Sequence, residues 1–519
     1  MKNNIDINNI PKEKFELIGE RDLHDVKFDT KPIGYFQDAW IRFRKNKASV
    51  AAACIILFIL LFSIVVPLVS PYEINYSETG YSNKLPKDKF LMQFGIATGQ
   101  TTRKMNLNAF TKAMAVGMGA ADVNGTGDVT YEDGYLNEYS SVKVIGDPYM
   151  SQDAVYRDVS VDVYLEEGFR FFRVTEAELE SMKAWEQATG KKLLYPMIDT
   201  KNDHPGTEDA NVWYKTKSGT LQPVSVKQVI GGVVTTPLDI TAGDKLVPNY
   251  LYDSQGNAIY ATPSDSTMWR VRVLYYNYYQ WAHEGKEPYH LLGTDNSGYD
   301  ICVRLAYGIR LSLLIAVCVS VINLVIGTVY GSIEGYFGGW VDIIMERISD
   351  VLSGVPFIVV ATLFQLHLSA KVGPIPSLLF SFVLTGWLGT AYRVRTQFYR
   401  FKNSEYVFAA RTLGASNSRL MFKHIFPNSL GTIITSSVLV IPGVIFSESM
   451  LSYLGIVAIH GDAGTSLGTM LSSASDLFTK YPHEIFFPAL VISLLMISFN
   501  LFGNGLRDAF NPSLRGVED

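Results

Sequence analysis

The chain has 519 residues, with 45 Lys+Arg against 50 Asp+Glu for a formal net charge of −5; 48% of its residues are hydrophobic and 18% are charged. So apolar a chain is not intrinsically disordered, and the near balance of signs excludes nucleic-acid binding by bulk electrostatics. Three cysteines, Cys54, Cys302 and Cys318, are too few for a disulfide scaffold.

Residues 1–47 read as a cytoplasmic segment ending in an amphipathic helix. Residues 48–69 carry no charge and, at 1.5 Å per residue, cross ~30 Å of hydrocarbon, so 48–70 is the first transmembrane helix. Further apolar runs at 311–332, 348–368, 377–392, 430–454 and 485–506 bring the expected count to six. Arg42, Arg44, Lys45 and Lys47 precede the first run. Arg393, Arg395, Arg400, Lys402, Arg411, Arg419 and Lys423 crowd the segment between the fourth and fifth, and Arg507 and Arg515 follow the sixth. Basic residues favour the cytoplasmic side, which puts both termini inside and residues 71–300 outside. Residues 71–300 hold 30 acidic and 21 basic residues (−9), and the rest of the chain holds 20 and 24 (+4). The expectation is a polytopic α-helical membrane protein with an extracellular domain inserted between helices one and two.

That domain reads as α+β. Alternation around 159–164 and the β-branched and aromatic stretches 224–235 and 269–276 predict strands. Thr175 with Glu178 forms a capping box, which starts a helix that stops at Gly190. Residues 122–133 have the spacing of a calcium loop of the EF-hand or dockerin kind. Oxygen donors stand at Asp122, Asn124, Thr126, Asp128, Thr130 and Asp133, with Gly127 at the sharp turn. Alternate oxygens around a turn suit a hard cation; the alternative is an Asn/Gly/Asp turn that binds nothing. The run Tyr275-Tyr276-Asn277-Tyr278-Tyr279-Gln280-Trp281 reads as a core strand and membrane-interface belt, against a stacking ligand site.

In residues 301–519, Gly327, Gly331, Gly335 and Gly339 recur every four residues and should line one packing face of a helix. Pro356 and Pro442 predict kinks. Glu448 is either a functional intramembrane carboxylate or an interfacial one. The loop 397–429 reads as a helical hairpin on the cytoplasmic face: a first helix from Glu405, a break at Gly414, and a second helix that stops at Pro427. Small residues at Ala409, Ala410 and Gly414 leave room for another surface.

These residues carry a resemblance. Phe408-Ala409-Ala410, three residues, then Gly414-Ala415, followed by Ile425-Phe426-Pro427, resembles the "EAA" coupling motif of ABC-importer permeases. Phe408 replaces the motif's Glu, and Phe426 its Leu before Pro. His290-Leu-Leu-Gly293-Thr294-Asp295-Asn-Ser-Gly298-Tyr-Asp300 resembles the segment before span two of dipeptide and oligopeptide permeases. Gly335–Asp342, Arg347–Asp350 and Phe499–Pro512 resemble further segments of that family. The resemblance covers 32–71 and 290–519 and is nearest the C-type subunit of the oligopeptide permease; the 200-residue outer domain departs from the family.

The resemblance implies the ABC-importer permease fold and uptake of oligopeptides or dipeptides by alternating access. Nickel and glutathione are the alternative cargoes within the family. It also implies a second related permease subunit, two cytoplasmic ATPase subunits that bind the ATP, and an extracellular peptide-binding lipoprotein, in a bacterial cell membrane. Glu405, Phe408, Ala409, Ala410, Gly414, Ala415, Ile425 and Pro427 would couple to the ATPases. The chain has no Gly-x-x-x-x-Gly-Lys-Ser/Thr and no His-Glu-x-x-His, so neither its own ATPase site, nor catalysis, nor a catalytic cofactor is expected. A membrane-anchored adhesin is the remaining reading, but it needs neither six spans nor a coupling hairpin.

Overall fold

The computed structural model describes residues 34–151, 154–200, 208–217, 220–221, 239–459 and 464–510; the expected strand at 224–235 falls outside them. The described residues begin with two helices, α1 (Tyr35–Lys45) and the apolar α2 (Lys47–Val69). Asn46 Oδ1 accepts the Ser49 amide at 3.2 Å and caps α2.

Among the described residues the inserted domain is α+β, with two four-stranded antiparallel sheets and a two-stranded hairpin. The first half contains β1 (Gln100–Asn106), α3 (Leu107–Ala121), α4 (Tyr131–Leu136), β2 (Val142–Val144), β3 (Tyr149–Ser151) and β4 (Ala154–Asp162). β4 pairs with β1, β2 and β3, in a register that sets Gln100 against Asp162 and Asn106 against Tyr156. Val159 and Val161 of β4 bury against Phe110, Met114 and Met118 of α3 and against Trp213. Gly119 makes this close approach possible, since a Cβ there would lie 2.7 Å from Trp213 Nε1. The indole N–H donates to Ala115 O at 2.6 Å.

The second half contains β5 (Phe169–Thr175), α5 (Glu176–Thr189), β6 (Leu194–Tyr195), the hairpin β7 (Thr216–Lys217) and β8 (Thr220–Leu221), β9 (Ala261–Pro263), β10 (Met268–Leu274) and α6 (Tyr275–Ala282). β10 pairs with β5, β6 and β9. The capping box forms as expected: Thr175 Oγ1 accepts the Glu178 amide, and the Glu178 carboxylate accepts the Thr175 amide at 2.7 Å. Gly190 ends α5 at φ 71°. Within β10, Arg272 is fully buried. It donates to Ala210 O (2.8 Å) and Pro196 O (3.2 Å) and lies 3.8 Å from the Phe169 ring centroid. Burial pulls its pKa down to about 10.

The tyrosine run is neither strand nor membrane belt. The strand ends at Leu274, and Tyr275–Ala282 is a helix inside the inserted domain. Tyr275 and Tyr279 are buried with Tyr81 and Tyr164 in an aromatic cluster, and Phe172 stacks on Tyr278 with centroids 4.1 Å apart. Burying these rings favours the domain core over the membrane surface.

The remaining helices are α7 (Ile301–Phe337), α8 (Gly339–Ser353), α9 (Phe357–Val372), α10 (Pro374–Gly386), α11 (Leu388–Phe401), α12 (Glu405–Thr412), α13 (Asn417–Arg419), α14 (Phe426–Val438), α15 (Val440–Tyr453), α16 (Leu467–Ala474) and α17 (Pro482–Phe510), with a π turn over Leu420–Ile425. Among the described residues five helical stretches are long and apolar enough to cross a membrane. The α8–α9 pair, bent by 72° where Pro356 falls, makes a sixth. α7 is the axis, in contact with α2, α10, α11, α14, α15, α16 and α17.

The head of α7 is locked to the inserted domain by the 290–300 segment. Asp300 caps α7 through the Val303 amide (2.8 Å) and holds His290 Nδ1 (2.8 Å). The His290 ring stacks on Tyr72. Thr294 Oγ1 donates to Tyr81 O and accepts the Lys84 amide, and Asp295 pairs with Arg304. His290 is thus a structural histidine.

Candidate functional site

At the opposite end of α7 the chain forms a corner. After α11 the backbone turns at 402–404, runs through α12 and reverses at Leu413–Ser416. Gly414 adopts φ +81°, a left-handed conformation that glycine takes without strain. The Gly414 amide returns to Arg411 O (3.0 Å) and the Ala415 amide to Ala410 O (3.0 Å), which closes the end of α12. Ser416 Oγ caps the next turn.

The corner has a buried base and an apolar tip. Val407, Leu420 and Ile425 are fully buried with Tyr336 of α7 and Val394 and Phe398 of α11. Tyr336 Oη donates to Asn417 Oδ1 (2.8 Å), and Asn428 Nδ2 donates to Tyr406 Oη (3.2 Å), tying the two arms together. On the outside, Leu413 is 88% exposed, Phe422 50%, Phe408 47% and Tyr406 40%. A leucine or phenylalanine gains about 1.5–3 kcal/mol on full burial, so four such side chains on a rigid tip form a surface suited to another protein.

Several sequence expectations change here. Glu405, Phe408, Ala409 and Gly414 are exposed, but Ala410 and Ala415 are half-buried against the base and Ile425 lies wholly inside it. The second helix does not stop at Pro427, which sits exposed in the first turn of α14 while the helix continues. The π turn over Leu420–Ile425 shifts the hydrogen-bond register just where proline lacks a donor, so the chain passes through without a break. Leu413, Tyr406 and Phe422 escaped the sequence reading. Their signal was present, because they are apolar yet out of phase with buried Val407, Leu420 and Ile425.

The glycine face joins this corner to the bundle. Cβ atoms added at Gly327, Gly331 or Gly335 would strike the backbone at Trp387, which caps α11, and at Ala391 and Arg395 within it, respectively. Gly339 does not share the face: Gly338 breaks the helix at φ +67°, and Gly339 begins α8 at φ +57° with no atom near its Cβ position. Beside that break, Arg395 of α11 binds Asp342 (2.6 Å) and Glu346 (3.0 Å) of α8, and Tyr399 donates to Asp342. Glu448 is fully buried inside the protein. It accepts Ser312 Oγ of α7 (2.8 Å) and Ser452 Oγ of α15 (3.1 Å), which pins α15 to α7.

The 122–133 loop has its helix–loop–helix frame, α3 before and α4 after, with Gly127 at φ +72°. Its side chains are engaged elsewhere. Asp122 accepts the Thr126 (3.0 Å) and Gly127 (2.7 Å) amides, Asp128 pairs with Lys245 (2.6 Å), and Asp133 folds back to Thr130 in a capping box. Asn124 is exposed. Among the described residues no three Asp, Glu, His or Cys side chains gather as metal ligands. In this arrangement the loop's carboxylates bind protein donors and do not gather around one point.

Two families match this sequence. The one described as "Binding-protein-dependent transport system inner membrane component" matches residues 323–516, and the one described as "N-terminal TM domain of oligopeptide transport permease C" matches 34–86. The oligopeptide transport system permease protein OppC of Bacillus subtilis is 44% identical over 226 residues, 44% of this chain and 72% of the relative. The dipeptide transport system permease protein DppC of the same organism is 40% identical over 227 residues (44% and 69%). OppC of Escherichia coli is 38% identical over 232 residues (44% and 74%). Among solved structures, the inward-facing MetNI methionine ABC transporter aligns at 13% identity with a TM-score of 0.34, over 39% of this chain and 94% of that one.

Proposed function

We infer the function from one premise: the chain belongs to the family of binding-protein-dependent transport permeases, in its oligopeptide and dipeptide branch. It is a multi-pass permease subunit of an ABC importer for peptides. The chain carries no phosphate-loop motif, so the ATP is bound and hydrolysed by two partner ATPases. A second related permease completes the pore, and an extracellular binding protein delivers the peptide.

The observation that carries this reading is the corner at 405–425, a rigid apolar tip on a buried base at the end of the axial helix. Arg400, Lys402, Arg411, Arg419 and Lys423 surround it, whereas the net −9 inserted domain stands at the other end of α7. That asymmetry supports a cytoplasmic corner and an external domain. Closure of the ATPases around bound ATP would draw two such corners together. Because Tyr336 and Phe398 sit in the base, α7 and α11 would follow and rock the pore between inward- and outward-open states.

Leu413→Asp tests it. The side chain touches little of its own subunit, so the fold should hold while the tip loses its apolar anchor. In a reconstituted transporter, peptide uptake should fall about tenfold or more, the scale expected when an interface anchor is lost. Unchanged uptake in a stably assembled variant would sink the docking assignment.

A further inference from the structure

The inserted domain contains a cleft of ≈ 540 Å³ that nothing in the transport argument uses. Its size falls within the range of small-ligand sites, roughly 300–1,000 Å³. Lys87, Tyr139, Ser141, Asp162, Tyr276 and Gln280 form the floor, drawn from the segment before β1, from the first sheet and its approach, and from α6. Met92, Tyr135 and Leu136 form an apolar lip.

Two buried polar groups in this floor have no protein partner. Gln280 is 2% exposed; its Oε1 accepts Lys191 Nζ at 2.8 Å, which fixes the amide, and its Nε2 is left with no acceptor. Ser141 is also 2% exposed, and its Oγ is unpartnered. Buried donors without acceptors are costly and uncommon, and both belong to residues that line the cleft, where a small side-chain shift would offer them to a ligand's carbonyl oxygens. Lys87 is held in place by Asp162 (3.0 Å) with its ammonium 5.0 Å from the Tyr164 ring centroid, an ion pair fixed in the floor. The rim carries Lys143 and Lys191 together with Glu138 and Glu287, so both signs face the opening.

We propose that this cleft binds short peptides with free termini, so that the permease itself, and not only a separate binding protein, takes hold of peptide outside the membrane. The proposal rests on the peptide-importer reading for the identity of the ligand. Unpartnered donors match peptide carbonyls, charges of both signs match a free amine and a free carboxylate, and the tyrosines and lip offer apolar contact to side chains. A neutral oligosaccharide would use the donors and rings but has no need of the charged rim.

The test is calorimetric titration of trialanine into the full chain held in lipid nanodiscs, beside trialanine acetylated and amidated at its ends, and beside cellotriose. Free trialanine should bind saturably. Blocking both termini, or Gln280→Leu, should each weaken binding by about tenfold, the effect of losing a buried polar contact. Tyr135→Ala, on the exposed lip, should weaken it by a few fold. No saturable binding, binding indifferent to Gln280→Leu and Tyr135→Ala alike, or a preference for cellotriose would each overturn the proposal. Peptide uptake by the reconstituted transporter without cleft binding would overturn the cleft and leave the importer reading standing. Gln280-dependent peptide binding without uptake would support the cleft and count against the importer.

Discussion

Replacing Gly335 by alanine sets two effects of opposite sign against each other. Within a helix, Gly→Ala is favourable by about 0.5–1 kcal/mol, because glycine loses more backbone freedom on folding. Against this stands the neighbouring helix. A Cβ at 335 would lie 2.7 Å from Arg395 O, 2.8 Å from Phe398 Cβ and 3.0 Å from Arg395 Cα, where ordinary contact begins at 3.4 Å. Two of those atoms are backbone, so no side-chain rotation relieves the clash, and α11 must move by several tenths of an ångström. Overpacking of this kind costs about 1–3 kcal/mol, leaving a net loss of roughly 1–2 kcal/mol. At about 2–4 °C per kcal/mol, the apparent Tm of the isolated subunit in detergent should fall by several degrees at a fixed heating rate. Gly443→Ala is the control: it lies within α15, and its added Cβ meets nothing within 4 Å, so only the favourable term remains. Because Phe398 belongs to the base of the corner, Gly335→Ala should also lower uptake per ATP hydrolysed. A Gly335→Ala subunit that melts at or above the parent, or a Gly443→Ala subunit that loses as much, would refute the reasoning.

Two further outcomes follow from the inserted domain. Arg272→Leu leaves the carbonyls of Ala210 and Pro196 without their donor and should cost about 2–4 kcal/mol; limited proteolysis of the full chain should then cut within the inserted domain and spare the helices, and an unchanged digestion pattern would contradict this. Calcium chelation should leave the same digestion pattern unchanged, since Asp128 and Asp133 are already bound to Lys245 and Thr130; protection by added calcium would reverse that conclusion.

What could be read from the sequence was local or periodic. The Thr175–Glu178 capping box spans one helical turn, and its two hydrogen bonds follow from residue type and spacing. Gly327, Gly331 and Gly335 obey the helical period and do meet α11, but the same count extended to Gly339 overran a helix that breaks at Gly338. Pro427 misled because a local rule ends helices at proline, whereas here a preceding π turn absorbs the missing donor. The calcium spacing was correct as a string, yet backbone amides and a capping hydroxyl inside the loop hold Asp122 and Asp133, and Lys245, distant in sequence, holds Asp128. The tyrosine run, the pairing of β1 with β4 and the cleft, whose lining runs from Lys87 to Tyr289, depend on packing between residues far apart in sequence. No local pattern encodes them.

The lock between the inserted domain and the head of α7 has a mechanical consequence. α7 is 37 residues long, ~55 Å of continuous helix, with Asp300, His290 and Thr294 fastening one end and Tyr336 with Asn417 fastening the other. The helix is a lever clamped at both tips. Under the proposed importer cycle, a tilt imposed at the corner would be carried along its length to the inserted domain, whose orientation would then report the state of the corner.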